Sequence, residues 1–168
     1  MVKAPICNVC LTSDMLCTGC ESKIKGGEIT EGDVSFGRAL VQLSEVHPVL
    51  DHVEFKKTIE RSGMFLVVVP RGTLKNLIGK NGIFIKELSK MLKAVRLKVV
   101  EETNNPREMI ERIVYPANLI GVNIAYNGKK QSYKVRIPRS EQIRIPNKKA
   151  YESLFEKLLG VDSEIIFE

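Results

Sequence analysis

From Val34 the chain runs VSFGRALVQLSEV, which puts Phe36, Leu40 and Leu43 on one face of a helix that must stop before His47-Pro48. Two β-rich runs in VEFKKTIERSGMFLVVVP meet at Arg61-Ser62-Gly63, the pattern of a hairpin. RGTLKNLIG then predicts a short helix. GIFIKELSKMLKA predicts a longer one, with Ile85, Leu88 and Leu92 as its buried stripe and Lys86, Lys90 and Lys93 on the opposite side. VRLKVVEE alternates Val95, Leu97 and Val99 with Arg96 and Lys98, so a strand is expected with one face in the core and one in water. The order is α-β-β-α-α-β.

The same order recurs more weakly downstream. In NPREMIERIV, Asn105 is a cap, Pro106 takes the first helical position, and Met109, Ile110 and Ile113 supply the stripe. LIGVNIAYNGKKQSYKVRIP is a hairpin whose Asn127-Gly128 pair suits a tight primed turn, with Tyr133, Val135 and Ile137 alternating with Lys134 and Arg136. NKKAYESLFEKLLG forms an amphipathic helix on Tyr151, Leu154, Phe155 and Leu158 that stops at Gly160, and SEIIFE is a last strand. Where the first unit has helix, glycine loop and helix, the second has RSEQIRIPNKK, with no glycine. The predicted class is α+β. Its parts are a cysteine knuckle at 1–24, a polar Gly-rich linker at 25–33, a unit at 34–103 and a degenerate second unit at 104–168.

A chain of 168 residues with 43% hydrophobic content can bury the cores of two small units. Its longest apolar run, MFLVVVP, is far too short to span a bilayer. The N-terminus MVKAPICNVC lacks the apolar stretch of a secretory signal, so a cytoplasmic, reducing compartment is expected, where cysteines bind metal in preference to pairing. The net charge is +6, but residues 1–33 sum to −2 and the remainder to +8. Arg71 to Lys98 holds eight bases against one acid, Glu87, the steepest positive field on the chain.

Cys7, Cys10, Cys17 and Cys20 form C-x2-C-x6-C-x2-C, and no other cysteine follows. Each C-x2-C turn aims two thiolates at one point, and two such turns close a tetrahedral site of the kind zinc fills with bonds of about 2.3 Å to sulfur. With sulfur at every vertex no position remains for an activated water, so the zinc would be structural. An iron–sulfur centre and disulfides are the competing readings.

LIGKNGIFI sets Gly79, Lys80, Asn81 and Gly82 between two helices in the midst of that positive field. Such a turn brings backbone N–H groups and a helix N-terminus to one exposed point, where phosphates are well held. Ile78, Ile83 and Ile85 are expected to line a shallow apolar groove beside it for unpaired bases, and Arg71, Lys75 and Lys86 are counted with them as candidate RNA-binding residues. A nucleotide-binding P-loop fits poorly. Gly72 to Gly79 encloses six residues where that motif has four, and Asn81 follows Lys80 where a Ser or Thr should bind magnesium.

Ile78, Gly79, Gly82 and Ile85 match the I-G-x-x-G-x-x-I signature of K-homology (KH) domains, and the element order resembles the prokaryotic, type II form. NPREMIERIVYPANLIGVNIAY, with Pro116-Ala117, is similar to the segment joining the tandem KH domains of the NusA-like transcription factors. The resemblance implies an RNA-binding protein that captures about four unpaired nucleotides per intact domain, with Gly79 to Gly82 clamping the backbone. It implies a role in transcription elongation or termination beside RNA polymerase. A ribosome-associated factor on a ribosomal subunit and a zinc-stabilised adaptor between proteins are the alternatives. Arg139, Arg144, Lys148 and Lys149 are the cations left to the second unit. No enzyme and no small-molecule substrate is expected, since His47 and His52 lack a neighbouring cysteine or serine nucleophile.

Overall fold

A computed structural model describes residues 1–168, which divide into two compact units, Met1–Glu102 and Thr103–Glu168. Each is α+β with one three-stranded sheet, and the chain has seven α-helices in all. No helix is long and apolar enough to cross a membrane.

In the first unit α1 (Asn8–Thr12) and α2 (Thr18–Lys25) carry the cysteines and are followed by α3 (Glu31–Val46). Then come β1 (Lys57–Arg61), β2 (Met64–Val69), α4 (Leu74–Ile78), α5 (Ile83–Leu92) and β3 (Arg96–Glu101). β2 is the central strand, antiparallel to β1 and parallel to β3. The β1–β2 turn holds Ser62 and Gly63, both at positive φ, as a two-residue primed turn requires.

Helix α3 is the spine of this unit. Phe36, Leu40 and Leu43 are buried as its spacing predicts, and Phe36 meets Phe55 edge-on at 4.9 Å and Phe65 at 6.2 Å. The helix begins earlier than the polar composition suggests. Thr30 and Asp33, expected in the linker, form a capping box: Thr30 Oγ1 accepts from the Asp33 N–H, and Asp33 Oδ2 accepts from the Thr30 N–H at 2.9 Å. Asp33 is buried, and its Oδ1 accepts from the Thr58 N–H at 2.7 Å and the Thr58 hydroxyl at 2.8 Å. One carboxylate thus closes the helix start and ties it to β1. Residues 26–30 alone separate α2 from α3.

The cysteine segment belongs to the same core. Lys3 bridges Glu54 with a main-chain bond on either side, its N–H donating to Val53 O at 2.9 Å and its carbonyl accepting from the Phe55 N–H at 3.1 Å. Val2, Ile6, Cys10 and Leu11 are buried with Phe36 and Phe55. The close fit is made at Gly37 of α3, where an added Cβ would stand 2.6 Å from Leu11 Cδ2 and 3.2 Å from Ile6 Cδ1.

Strand β3 departs from the expected alternation. Leu97 and Val99 pack on the core, but Val95 precedes the strand and is 88% exposed. The other face is not open to water. Val100, beside Val68, is buried, and Lys98, beside Leu66, has its amine pulled down to about 8 by burial and then by the charge of Arg96. The alternation predicted a one-sided sheet, whereas β2 is buried at every position.

The second unit runs α6 (Pro106–Val114), β4 (Gly121–Asn127), β5 (Lys130–Ile137), a 3-10 turn at Arg139–Arg144, α7 (Lys148–Leu159) and β6 (Asp162–Phe167). Its sheet repeats the pattern of the first, with β5 central, antiparallel to β4 and parallel to β6. Asn105 caps α6, its side chain accepting from the Arg107 N–H. The hairpin turn sits one residue later than predicted. Asn127 pairs with Lys130, so the two loop residues are Gly128 and Lys129, and only Gly128 has positive φ. Glycine at the first loop position is what a type II′ turn needs. RSEQIR supplies the 3-10 turn in place of the first unit's α4 and glycine loop.

Asp33→Ala should lower the stability of the first unit by about 3–4 kcal/mol, because it strands the buried Thr58 N–H and hydroxyl as well as uncapping α3. Urea unfolding measures the loss, and Asp33→Asn, which keeps an acceptor oxygen, should lose less.

Candidate nucleic-acid interface and metal centre

Between α4 and α5 the backbone turns through three positive φ values, at Gly79 (76°), Asn81 (56°) and Gly82 (72°). The two glycines serve different ends. A Cβ on Gly79 would stand 2.4 Å from the ring of Phe84, so the absent side chain is where that ring sits. A Cβ on Gly82 would meet nothing within 4 Å. Phe84 in turn packs on the core and on His47, ring centroids 4.9 Å apart. The turn is therefore pinned from beneath and open above.

Lys80 and Asn81 are exposed at its tip, with Gly79 and Gly82 half-buried. The main-chain donors are partly committed: the Gly79 N–H donates to Lys75 O, the Gly82 N–H to Gly79 O, and the Ile83 N–H to Lys80 O. The turn thus offers a ligand its two exposed side chains more than its glycine amides, a distinction the residue pattern does not carry.

Beside the turn, α5 and β3 enclose an open groove of about 360 Å³ lined by Ile85, Lys86, Ser89, Lys90, Val95, Arg96 and Leu97. Ile85 and Leu97 rest on the core below it, and Lys86 and Lys90 stand exposed on its rim. Of the three isoleucines expected there, only Ile85 lines it. Ile78 is half-buried on α4, and Ile83 is 45% exposed at the start of α5. Arg71 and Lys75 are exposed ahead of and on α4. The single acid in this stretch, Glu87, points to His47 Nε2 at 3.8 Å, on the side of Phe84. Ser89, Lys90, Val95, Arg96 and Leu97 line the groove without standing among the expected site residues, and Phe84 supports the turn from beneath. Lys90 and Arg96 carry a signal as members of the basic stretch, whereas the strand period places Val95 and Leu97 in the core.

The second unit offers less. Arg144 donates to Pro116 O at 3.0 Å and pairs with Glu141 at 3.1 Å, and Lys148 pairs with Glu152 at 3.6 Å. Arg139 and Lys149 are exposed.

The four cysteine sulfurs lie within 4.8 Å of one another, with Cys7 at 3.3 Å from Cys10, 3.8 Å from Cys17 and 3.7 Å from Cys20. A tetrahedron of 2.3 Å metal–sulfur bonds has edges of about 3.8 Å, so the set is close enough to hold a metal ion. Main-chain amides support the sulfurs, the Cys17 N–H donating to Cys10 and the Cys20 N–H to Cys17. The Cys20 amide, with help from the Cys10 sulfur, draws the Cys17 thiol down to about 7, and the Cys10 amide lowers Cys7. The Cys17 amide acts on Cys10 in the same sense, but burial and the other three sulfurs outweigh it and push that thiol up to about 12. Four thiols this crowded cannot all ionise without a cation among them. Arg38 of α3 approaches from the core side, its Nε donating to Cys10 O at 2.9 Å.

No family model and no curated protein matches the chain. A solved structure titled "Crystal structure of APE1850" matches with a TM-score of 0.57 over 78% of this chain and 96% of that one, at 15% identity. At that identity the likeness is one of fold.

The two glycines should differ on replacement. Gly82→Ala is expected to cost about 1 kcal/mol for the left-handed backbone alone. Gly79→Ala should cost about 3 kcal/mol or more, since backbone strain adds to collision with Phe84. Thermal unfolding of the two variants gives the comparison.

Proposed function

We propose that the protein binds single-stranded RNA, the α4–α5 turn meeting the phosphates and the α5–β3 groove receiving unpaired bases. The observation that carries this reading is the exposed pair Lys80 and Asn81 next to a groove with an apolar floor and a rim of Lys86 and Lys90. Cationic side chains at the tip neutralise phosphate, and Ile85, Val95 and Leu97 give a base a surface to lie on. The repeated α-β-β-α-α-β order and the I-G-x-x-G-x-x-I signature support a type II KH domain for residues 34–102, followed by a degenerate copy. The reaction class is none: the protein acts by binding. Its ligand on this reading is a nascent transcript and its partner RNA polymerase. Co-sedimentation with ribosomal subunits in place of polymerase would move the ligand to ribosomal RNA.

The metal we infer is zinc, held by Cys7, Cys10, Cys17 and Cys20 in a structural role. Because Leu11 and Ile6 sit against Gly37, the ion would brace the first unit as well as the knuckle.

Lys80→Asp combined with Asn81→Asp should weaken binding of an unpaired oligoribonucleotide by at least about tenfold while leaving the circular dichroism spectrum unchanged, because the like charge falls on exposed positions. Fluorescence anisotropy decides it, and an unchanged affinity rejects the turn as the site. Chelation should release one zinc per chain and lower the melting temperature of the first unit, with recovery on adding Zn²⁺. A melting temperature indifferent to chelation would remove the ion's bracing role.

A further inference from the structure

The β4–β5 hairpin of the second unit has a feature that the turn and groove of the first do not share. From Ile113 to Ser140 there is no acidic residue and there are five basic ones, Lys129, Lys130, Lys134, Arg136 and Arg139. Not all are free. Arg136 is held by Glu168 through two bonds of 2.8 Å, and Lys134 lies beside Glu164 of β6 in register. Lys129 and Lys130, at the hairpin tip, are exposed and make no ion pair, although Asp162 shares a shallow depression with Lys130.

The register places apolar and aromatic side chains on one face next to that tip. Ile124 stands opposite Tyr133 and Tyr126 opposite Gln131, so Tyr126 and Tyr133 are diagonal neighbours within reach of each other. Further along the same face Val122 pairs with the buried Val135. Towards the tip the cover stops: Tyr126 is 73% exposed and Ile124 51%. Neither helix of the unit is as long as the hairpin: the nine residues of α6 span about 13 Å and the twelve of α7 about 18 Å, whereas strands of seven and eight residues run about 24 and about 27 Å. In the first unit the sixteen residues of α3 span about 24 Å over strands of five and six residues.

We propose that this bare end of the hairpin, Ile124, Tyr126 and Tyr133 with Lys129 and Lys130, is a second contact for single-stranded nucleic acid, independent of the α4–α5 turn. An exposed phenol ring beside an aliphatic side chain gives one base a stacking platform, and the ammonium groups of Lys129 in the turn and of Lys130, which the register sets on the face opposite Tyr126, meet the flanking phosphates around the tip. The choice of ligand rests on the reading of the first unit as RNA-binding, with a further stretch of the same strand as the occupant; an acidic protein and an anionic membrane, which also use exposed rings and lysines, are outcomes of the test. Duplex offers the ring no unstacked base.

The test uses the full chain and a labelled oligouridylate of about 20 nucleotides, long enough to reach beyond a four-nucleotide clamp. Tyr126→Ala should weaken binding about tenfold, the loss of one stacked base, and Tyr126→Phe should not. Lys129→Glu with Lys130→Glu should weaken it further and flatten the salt dependence. In the Lys80→Asp, Asn81→Asp background, whatever binding remains should still fall with Tyr126→Ala. Ultraviolet crosslinking should attach the oligonucleotide to the peptide containing Tyr126. Equal binding by wild type and Tyr126→Ala, or competition by duplex RNA, by an acidic protein such as polyglutamate or by phosphatidylserine vesicles as effective as by the single strand, would overturn the proposal. The two sites fail separately. A silent Tyr126→Ala with an active Lys80→Asp, Asn81→Asp defect removes the hairpin alone, and the reverse removes the turn alone.

Discussion

The first unit depends on a single close approach, that of Leu11 and Ile6 to Gly37 in the middle of α3. A side chain there would force the cysteine helices off the spine, and with them Cys10 and Cys20, which are buried in the same core as Phe36 and Phe55. Through α3 the contact reaches the rest. Asp33 at its start fixes β1 by way of Thr58, and His47 at its end meets Phe84, the ring that fills the space under Gly79. Cysteine segment, sheet and glycine turn are thus three attachments to one helix of sixteen residues.

Much of this was legible because it rests on local rules. Helix α3 and its stop at proline, the Asn105 cap, the β1–β2 turn and the four-sulfur cluster all follow from patterns a few residues long. What the sequence withheld depends on neighbours distant in the chain. Asp33 looks like a linker residue until its partner Thr58, twenty-five positions away, is known. Val95 fits the strand period by one residue but falls in the turn before the strand, and Lys98 looks solvated because period two assigns it a wet face that this sheet does not have. Gly79 and Gly82 are indistinguishable as letters, and only Phe84 makes them unequal. The hairpin turn slipped by one because Asn127-Gly128 and Gly128-Lys129 both satisfy primed-turn chemistry, and the cross-strand register chose between them.

The two units show how one element order can be put to different ends by changing element length. The long first helix α3 packs on a hairpin whose central strand β2 is buried throughout. The short α6 goes with a hairpin exposed at Ile124 and Tyr126, and the glycine turn is replaced by a 3-10 turn whose Arg144 is occupied by Pro116 and Glu141.

The four sulfurs are not equivalent in their outlook: Cys7 and Cys17 face solvent, while Cys10 and Cys20 are sealed inside. A scavenging thiol or peroxide therefore encounters the outer pair first, and dismantling proceeds from the surface inwards. The inner pair is held by hydrophobic packing in the core of the first unit, so the segment keeps its anchor whatever happens to the outer pair.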